Sequence, residues 1–177
     1  MTIINAVGYY GPITILALAQ LFFKPATTTN TTSTTTSKPQ QIFLFLFLWQ
    51  LCSYLLNVII KNAIQAPRPD STPAQLTSAL SLPYMQRHRF YGMPSGHAQS
   101  VFSTASLLVF SKNTPPLIKI IGVLQALITA WQRHATRRHS WSQIGIGAGL
   151  GCIMGYLGNR VYYTFHSSSS SVPSTKM

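Results

Sequence analysis

A single residue, Asp70, carries a carboxylate side chain in this 177-residue chain, against thirteen Lys and Arg. That scarcity closes off whole classes of chemistry. Two-metal phosphoryl transfer, aspartyl-phosphate formation and glycoside hydrolysis by paired carboxylates each need more than one acidic group. Asp70 follows Arg68-Pro69 and reads as a local charge partner for that arginine. Cysteine is nearly as scarce. Cys52 and Cys152 both fall inside apolar runs and form no Cys-x-x-Cys pair, so neither a disulfide nor a metal centre is expected, and nothing else calls for a cofactor. Charged residues of all kinds make up 8% of the chain and hydrophobic ones 46%, a balance that suits a membrane protein better than a soluble domain.

The chain is instead rich in long apolar runs: Ile3–Phe23, Ile42–Ile60, Val101–Phe110, Leu117–Trp131 and Ile144–Phe165. The first, second and fifth approach the roughly 20 residues needed to cross hydrocarbon. The third and fourth are shorter, and they are read as spans because the convergence of candidate residues described below requires it. The expected fold is therefore all-α, a polytopic transmembrane bundle of about five spans. The first run has no basic leader and no small-residue cleavage site, and is expected to be a retained span.

Composition divides the chain into residues 1–24, a first span; 25–41, a disordered linker of Thr, Ser, Asn, Pro and Gln; 42–166, a catalytic transmembrane core; and 167–177, a disordered tail. Within the core, Pro69 to Gly92 is a polar loop in which Pro73 and Pro83 interrupt any long helix. Gly147, Gly151 and Gly155 recur every four residues in the last run. Small residues at that interval let helix backbones approach closely in lipid. A glycine-rich phosphate loop is a poor alternative, because no Lys-Ser or Lys-Thr follows and the segment is apolar.

Thirteen cations would ordinarily suggest a nucleic-acid partner. Here Lys61, Arg68, Arg87, Arg89, Arg133, Arg137 and Arg138 lie in or beside three short clusters, and no nucleic-acid motif is present. The target is a localised anion such as a diphosphate. Arg87, Arg89 and Arg160 are read as anchors at anionic headgroups. Alternating crossings bring the clusters to one face: Lys61 and Arg68 follow the second span, His97 opens the third, and Arg133 and His139 lie between the fourth and fifth.

Phosphoryl transfer asks a protein mainly to position the group and stabilise its oxygens. Arg68 and Arg133 supply planar forks and Lys61 a point charge, while Ser95 and the Gly96 backbone supply further donors at a helix N-terminus. A neutral imidazole is a competent metal-free nucleophile. His139 is the candidate, with Gln143, four residues on, expected to orient its ring. His97 is the candidate proton donor to the leaving oxygen. His88, His134 and His166 have no such context.

The pattern Lys61-x6-Arg68-Pro69, Pro94-Ser95-Gly96-His97, Arg133-x5-His139 resembles the three-part signature of the type 2 phosphatidic acid phosphatase superfamily. Around the motifs, Leu56–Asn62 running to Pro67-Arg68-Pro69, Tyr91–Gln99 and His139-Ser140-Trp141-Ser142-Gln143 are similar to dolichyldiphosphatases. The resemblance implies a helical membrane enzyme and a phosphohistidine on His139. It also implies His97 as acid, and phosphate binding by Lys61, Arg68, Ser95, Gly96 and Arg133. The implied substrate is a polyprenyl diphosphate, with dolichyl diphosphate hydrolysed on the lumenal side of the endoplasmic reticulum to recycle the carrier for N-glycosylation. Three departures stand out. Gln132 and Gln143 replace the Ser and Asp of most members, and Gly96 replaces a Ser common in eukaryotic dolichyl enzymes. An amide cannot offset charge on imidazole as Asp does, so a less activated histidine is expected. Arg137 and Arg138 are candidates for the second phosphate. The alternatives are a broader lipid phosphate phosphatase and a non-catalytic phospholipid-binding protein. The acceptor sequence Asn30-Thr31-Thr32 falls on the face opposite the clusters and is expected to be unmodified.

Overall fold

The computed structural model describes residues 38–112 and 114–168. The first apolar run, Asn30, the linker up to residue 37 and the tail beyond residue 168 lie outside them. Six helices follow in order: α1 Lys38–Ile64, α2 Pro73–Leu80, α3 Tyr84–Arg87, α4 Gly96–Phe110, α5 Pro116–Ala135 and α6 Trp141–Ser168. No strand occurs among the described residues beyond one isolated bridge between Pro67 and Tyr91.

Each core apolar run became a helix with extended ends. Helix α1 starts at Lys38, four residues before the expected boundary, with Pro39 in the first turn, where a missing N–H leaves no helical bond unmade. Helix α6 runs on to Ser168, two residues into the expected tail. In the 69–92 loop, Pro73 begins α2 and Pro83 caps α3, so the prolines that bar a long helix also set where the short ones start.

The polarity of the bundle is inverted relative to a protein in water. Leu51, Leu55 and Ile59 of α1, Leu117, Leu124 and Trp131 of α5, and Ile146, Ile153 and Leu157 of α6 are exposed, while Ser53, Asn57, Lys61, Gln99, Ser103, Gln132 and Arg133 are buried. Apolar faces on that scale are stable against hydrocarbon, not water. The segment Leu44–Ile64 of α1 is long and apolar enough to cross a membrane. Helix α4, the short third run, is the central element, with Ala98, Gln99, Val101 and Ser103 to Leu108 all buried. Its sides are covered by α1, α5 and α6.

Helices α4 and α6 meet along the glycines spaced by four. A Cβ on Gly147 would lie 2.5 Å from the Ser95 carbonyl oxygen, and Cβ atoms on Gly151 and Gly155 would run into the carbonyl oxygens of Gln99 and Ser103. Gly145 and Gly149, which alternate with Gly147 and Gly151 along the chain, face open space. Close helix packing is therefore the role of the period-four set. Buried amides tie α1 to α4: Asn57 Nδ2 donates to Gln99 Oε1 (2.7 Å), Gln99 Nε2 to Ser53 O (2.9 Å), and Gln50 Nε2 to Thr104 Oγ1 (2.7 Å).

The seam predicts a sharp contrast between neighbouring glycines. Gly151→Leu should destabilise the detergent-solubilised protein by about 3 kcal/mol or more, whereas Gly149→Leu should change stability by less than about 0.5 kcal/mol. Thermal or denaturant unfolding monitored by helical circular dichroism checks the pair.

Candidate active site

Two helix exits next to the cations use the same backbone device. After α1, Gln65 adopts a left-handed conformation (φ 52°) and its N–H donates to Lys61 O at 2.9 Å. After α5, Arg137 does likewise (φ 55°), and the N–H groups of Arg138 and His139 both donate to Arg133 O at 3.2 Å. Left-handed backbone costs a side-chain-bearing residue roughly 1–2 kcal/mol, so the surrounding bonds must hold it. The second turn explains the interval in Arg133-x5-His139, because the nucleophile candidate is fastened by its own N–H to the carbonyl of the cation. Past the first turn, Gly92 N donates to Ala66 O at 2.8 Å, and the Pro67–Tyr91 bridge aligns the strand of Arg68 with the segment entering α4.

A cavity of about 490 Å³ opens at this end of the bundle. Lys61, Arg68, Gly96, His97, Arg133 and His139 all line it, joined by Gln50, Ser53, Tyr54 and Asn57 of α1, Gln99 and Ser100 of α4, and His88 and Arg89 of the loop. The three sequence clusters thus converge on one space, as the crossing count requires. Ser95 and Gln143 are not among the lining residues. Ser95 is fully buried and caps α4, its Oγ accepting from Ala98 N. Gly96 gives room to α1, since a Cβ there would come within 3.2 Å of Asn57 Oδ1.

The cations of the cavity have no carboxylate among its lining residues. The carboxylate Asp70 accepts from Arg138 Nη1 at 3.3 Å in a largely exposed pair, while its charge also acts on Arg68, the partner its sequence position suggested. The turn after Arg133 swings Arg138 outward to meet Asp70. Arg138 is thereby committed, and Arg137 lines a second space of about 380 Å³ with Pro69, His134, His139 and Ser140. Neither arginine lines the main cavity. Arg68 Nε is buried with no hydrogen-bond partner in the protein, a donor that an anion would satisfy.

His139 is 2% exposed, and its Nδ1 lies 2.9 Å from Gly92 O. A carbonyl can only accept, so Nδ1 carries the proton and Nε2 keeps its lone pair. Burial first, then the fields of Arg68, Lys61 and Arg133, push the ring's pKa down to about 3; the bond to Gly92 opposes this only in part. The ring is neutral and of a defined tautomer throughout the physiological range.

Gln143 does not orient His139. The interval of four suggested one helical face, but α6 begins at Trp141, so His139 lies outside the helix and the spacing rule does not reach it. Gln143 Oε1 accepts from Ser140 N (3.2 Å) while Ser140 Oγ accepts from Gln143 N (3.3 Å), a reciprocal capping box. Its Nε2 donates to Pro67 O (2.8 Å) and its backbone oxygen accepts from Ser95 N (3.0 Å). One residue therefore joins the segments carrying Arg68, His97 and His139. A Cβ on Gly92 would sit 2.5 Å from the Gln143 amide, so glycine there admits both the amide and the bond to His139. Sequence reasoning missed this role although its signal, Ser-x-x-Gln before an apolar run, stands in plain view at Ser140–Gln143. It also set Arg89 aside as an anchor, whereas Arg89 lines the cavity.

Comparison with known proteins adds two findings. The model of the PAP2 superfamily matches residues 42–167. The crystal structure described as the first transmembrane PAP2 type phosphatidylglycerolphosphate phosphatase, from Bacillus subtilis, is similar in fold, with a TM-score of 0.61 at 18% identity over 97% of this chain and 78% of that one. No curated protein gives a significant match.

Gln143→Ala should lower kcat/KM about 10–100-fold, as loss of an orienting partner typically does, with helical content retained. Gln143→Glu, which keeps the cap acceptor but loses the donor to Pro67, should fall between; wild-type rates in both would remove the joining role. For His139, ring ¹⁵N shifts should show the neutral Nδ1–H tautomer from pH 7 down to pH 5, because its pKa is lowered to about 3. Titration near pH 6.5 would contradict the neutral, buried ring.

Proposed function

The chain belongs to the PAP2 superfamily, and from that premise we propose that it is a metal-independent membrane lipid phosphatase that hydrolyses a polyprenyl diphosphate to the monophosphate and inorganic phosphate. The observation that carries the reading is the meeting of two histidines and three cations in one cavity at the end of a bundle with an apolar exterior. Family membership supports a hydrolase acting on phosphate esters, and the apolar faces support a substrate that reaches the site from the bilayer.

The geometry supports a two-step transfer. Lys61, Arg68 and Arg133 hold the terminal phosphate and spread the charge of its equatorial oxygens. The Nε2 lone pair of His139 attacks phosphorus as the bond to the leaving oxygen breaks, and His97 gives that oxygen a proton, releasing the lipid monophosphate. His97 then takes a proton from water, whose oxygen attacks the phosphohistidine. The P–N bond breaks, inorganic phosphate leaves and His139 returns to its starting state. As charge builds on the His139 ring, the Gly92 carbonyl supplies the dipole that receives Nδ1–H, the place usually given to a carboxylate.

The similarity of Tyr91–Gln99 and His139–Gln143 to dolichyldiphosphatases favours dolichyl diphosphate as the lipid, and with it residence in the endoplasmic reticulum with the cavity facing the lumen and a part in recycling the N-glycosylation carrier. A second reading, a phosphatase of glycerophospholipid monophosphates, is favoured by the substrate named for the similar crystal structure.

Phosphate release from dolichyl diphosphate, farnesyl diphosphate and phosphatidate in detergent with EDTA tests both readings. Release from the diphosphates should persist in EDTA; a preference for phosphatidate would favour the second reading. His139→Ala should abolish turnover, and His97→Ala should slow it about 10²–10⁴-fold. Activity that survives His139→Ala rules out the phosphohistidine route.

A further inference from the structure

Beyond the residues that hold the transferred phosphate, the cavity has a cationic wall that no sequence motif marks. Arg89 and His88 come from the turn after α3, and Tyr54 faces them from α1. This turn is held rather than loose. Arg87 Nε donates to Leu82 O at 2.8 Å, Phe90 N donates to Arg87 O at 3.0 Å, and Tyr91 then pairs with Pro67. Arg87 is thus spent on closing the turn, while Arg89, two residues before the bridge, lines the cavity; Arg68 follows the bridge on the opposing strand. Tyr54 Oη lies 3.4 Å from His88 Nε2 and the two rings meet edge to face, so α1 braces the same wall.

Charge and reach together say what this wall is for. Lys61, Arg68 and Arg133 present three positive charges to the cavity, and Arg89 adds a fourth, with Asp70 paired to Arg138. A phosphate monoester brings about two negative charges at neutral pH, which the first three cations already exceed. A diphosphate monoester brings about one more, which the three cations match in number, but its inner phosphate extends past the reacting phosphorus and the cations gathered there, so a cation elsewhere on the cavity wall is the one placed to hold it.

We infer that Arg89, with Tyr54 and His88, forms a second anion subsite that selects a lipid carrying two linked phosphates over one carrying a single phosphate. The inference rests on the lipid phosphatase reading and deepens it: the terminal phosphate lies among Lys61, Arg68 and Arg133, and the inner phosphate, which departs with the lipid, lies against Arg89. Because the inner phosphate is bound in substrate and leaving group alike, Arg89 acts mainly on binding.

The full chain in detergent with EDTA provides the test, using farnesyl diphosphate and farnesyl monophosphate as paired substrates. Arg89→Ala should lower kcat/KM for the diphosphate about tenfold more than for the monophosphate, chiefly through KM, and Arg89→Lys should restore part of the difference. An equal fall on both substrates, or an unaltered ratio, overturns the subsite. A binding measurement separates this from catalysis: inorganic pyrophosphate should raise the melting temperature more than inorganic phosphate does, and Arg89→Ala should close that gap. No gap in the wild type sinks the subsite, and turnover of the monophosphate would then leave the phosphatase reading standing. A gap that Arg89 controls, in a protein that turns over neither lipid, would sustain the subsite and sink the phosphatase reading.

Discussion

The structure depends on a concentration of positive charge with no carboxylate among the residues around it. Lys61 and Arg68, on either side of the turn after α1, and Arg133, from the end of α5, meet in one partly buried cavity, and Asp70 is engaged elsewhere by Arg138. Gathering like charges is unfavourable for the folded chain, and burial makes it more so. The helices and turns around the cavity must hold these groups against their mutual repulsion, and an anion entering the cavity relieves it. Burial first, and then the same field, keep His139 neutral, so the arrangement that attracts phosphate also helps keep the nucleophile's lone pair available.

The scaffold meets that demand with backbone rather than side chains at several critical points. Left-handed residues at Gln65 and Arg137 reverse the chain next to the cations, the Gly92 carbonyl sets the tautomer of His139, and the Gln143 backbone oxygen and amide fasten the three motif segments to one another. A neutral residue in the place where most superfamily members have Asp is consistent with this design. Orientation of the imidazole has passed to a carbonyl from another segment, and the amide has become a structural tie. The expectation of a less activated histidine was framed around Gln143, whereas the ring's partner is the Gly92 carbonyl.

Much of the fold was legible from the chain because hydrocarbon leaves few choices: apolar runs become helices, and alternating crossings dictate which loops share a face. Lys61, Arg68, His97, Arg133 and His139 were legible because chemistry restricts which residue types can hold and attack phosphate, and their motifs fix the intervals. What escaped was set by contacts between distant segments. The bond from His139 to Gly92 joins residues 47 apart through a carbonyl, a group every residue carries, and so leaves no trace in composition. Arg89 looks like Arg87 in sequence, and only the bond from Arg87 to Leu82 O shows that one closes a turn while the other meets the cavity. The reversal after α5, which turns Arg138 toward Asp70, was invisible without a glycine to announce it.

The glycine seam between α4 and α6 has a consequence for how such an enzyme diversifies. Where Gly147, Gly151 and Gly155 abut the α4 backbone, almost any replacement collides with main-chain atoms that cannot step aside, so drift along that seam is barred. The helix bearing His97 is consequently held on a rigid anvil. Novelty in what the enzyme accepts has more room opposite it, at side chains such as Tyr54 and Arg89, which border the cavity outside the amide ties between α1 and α4.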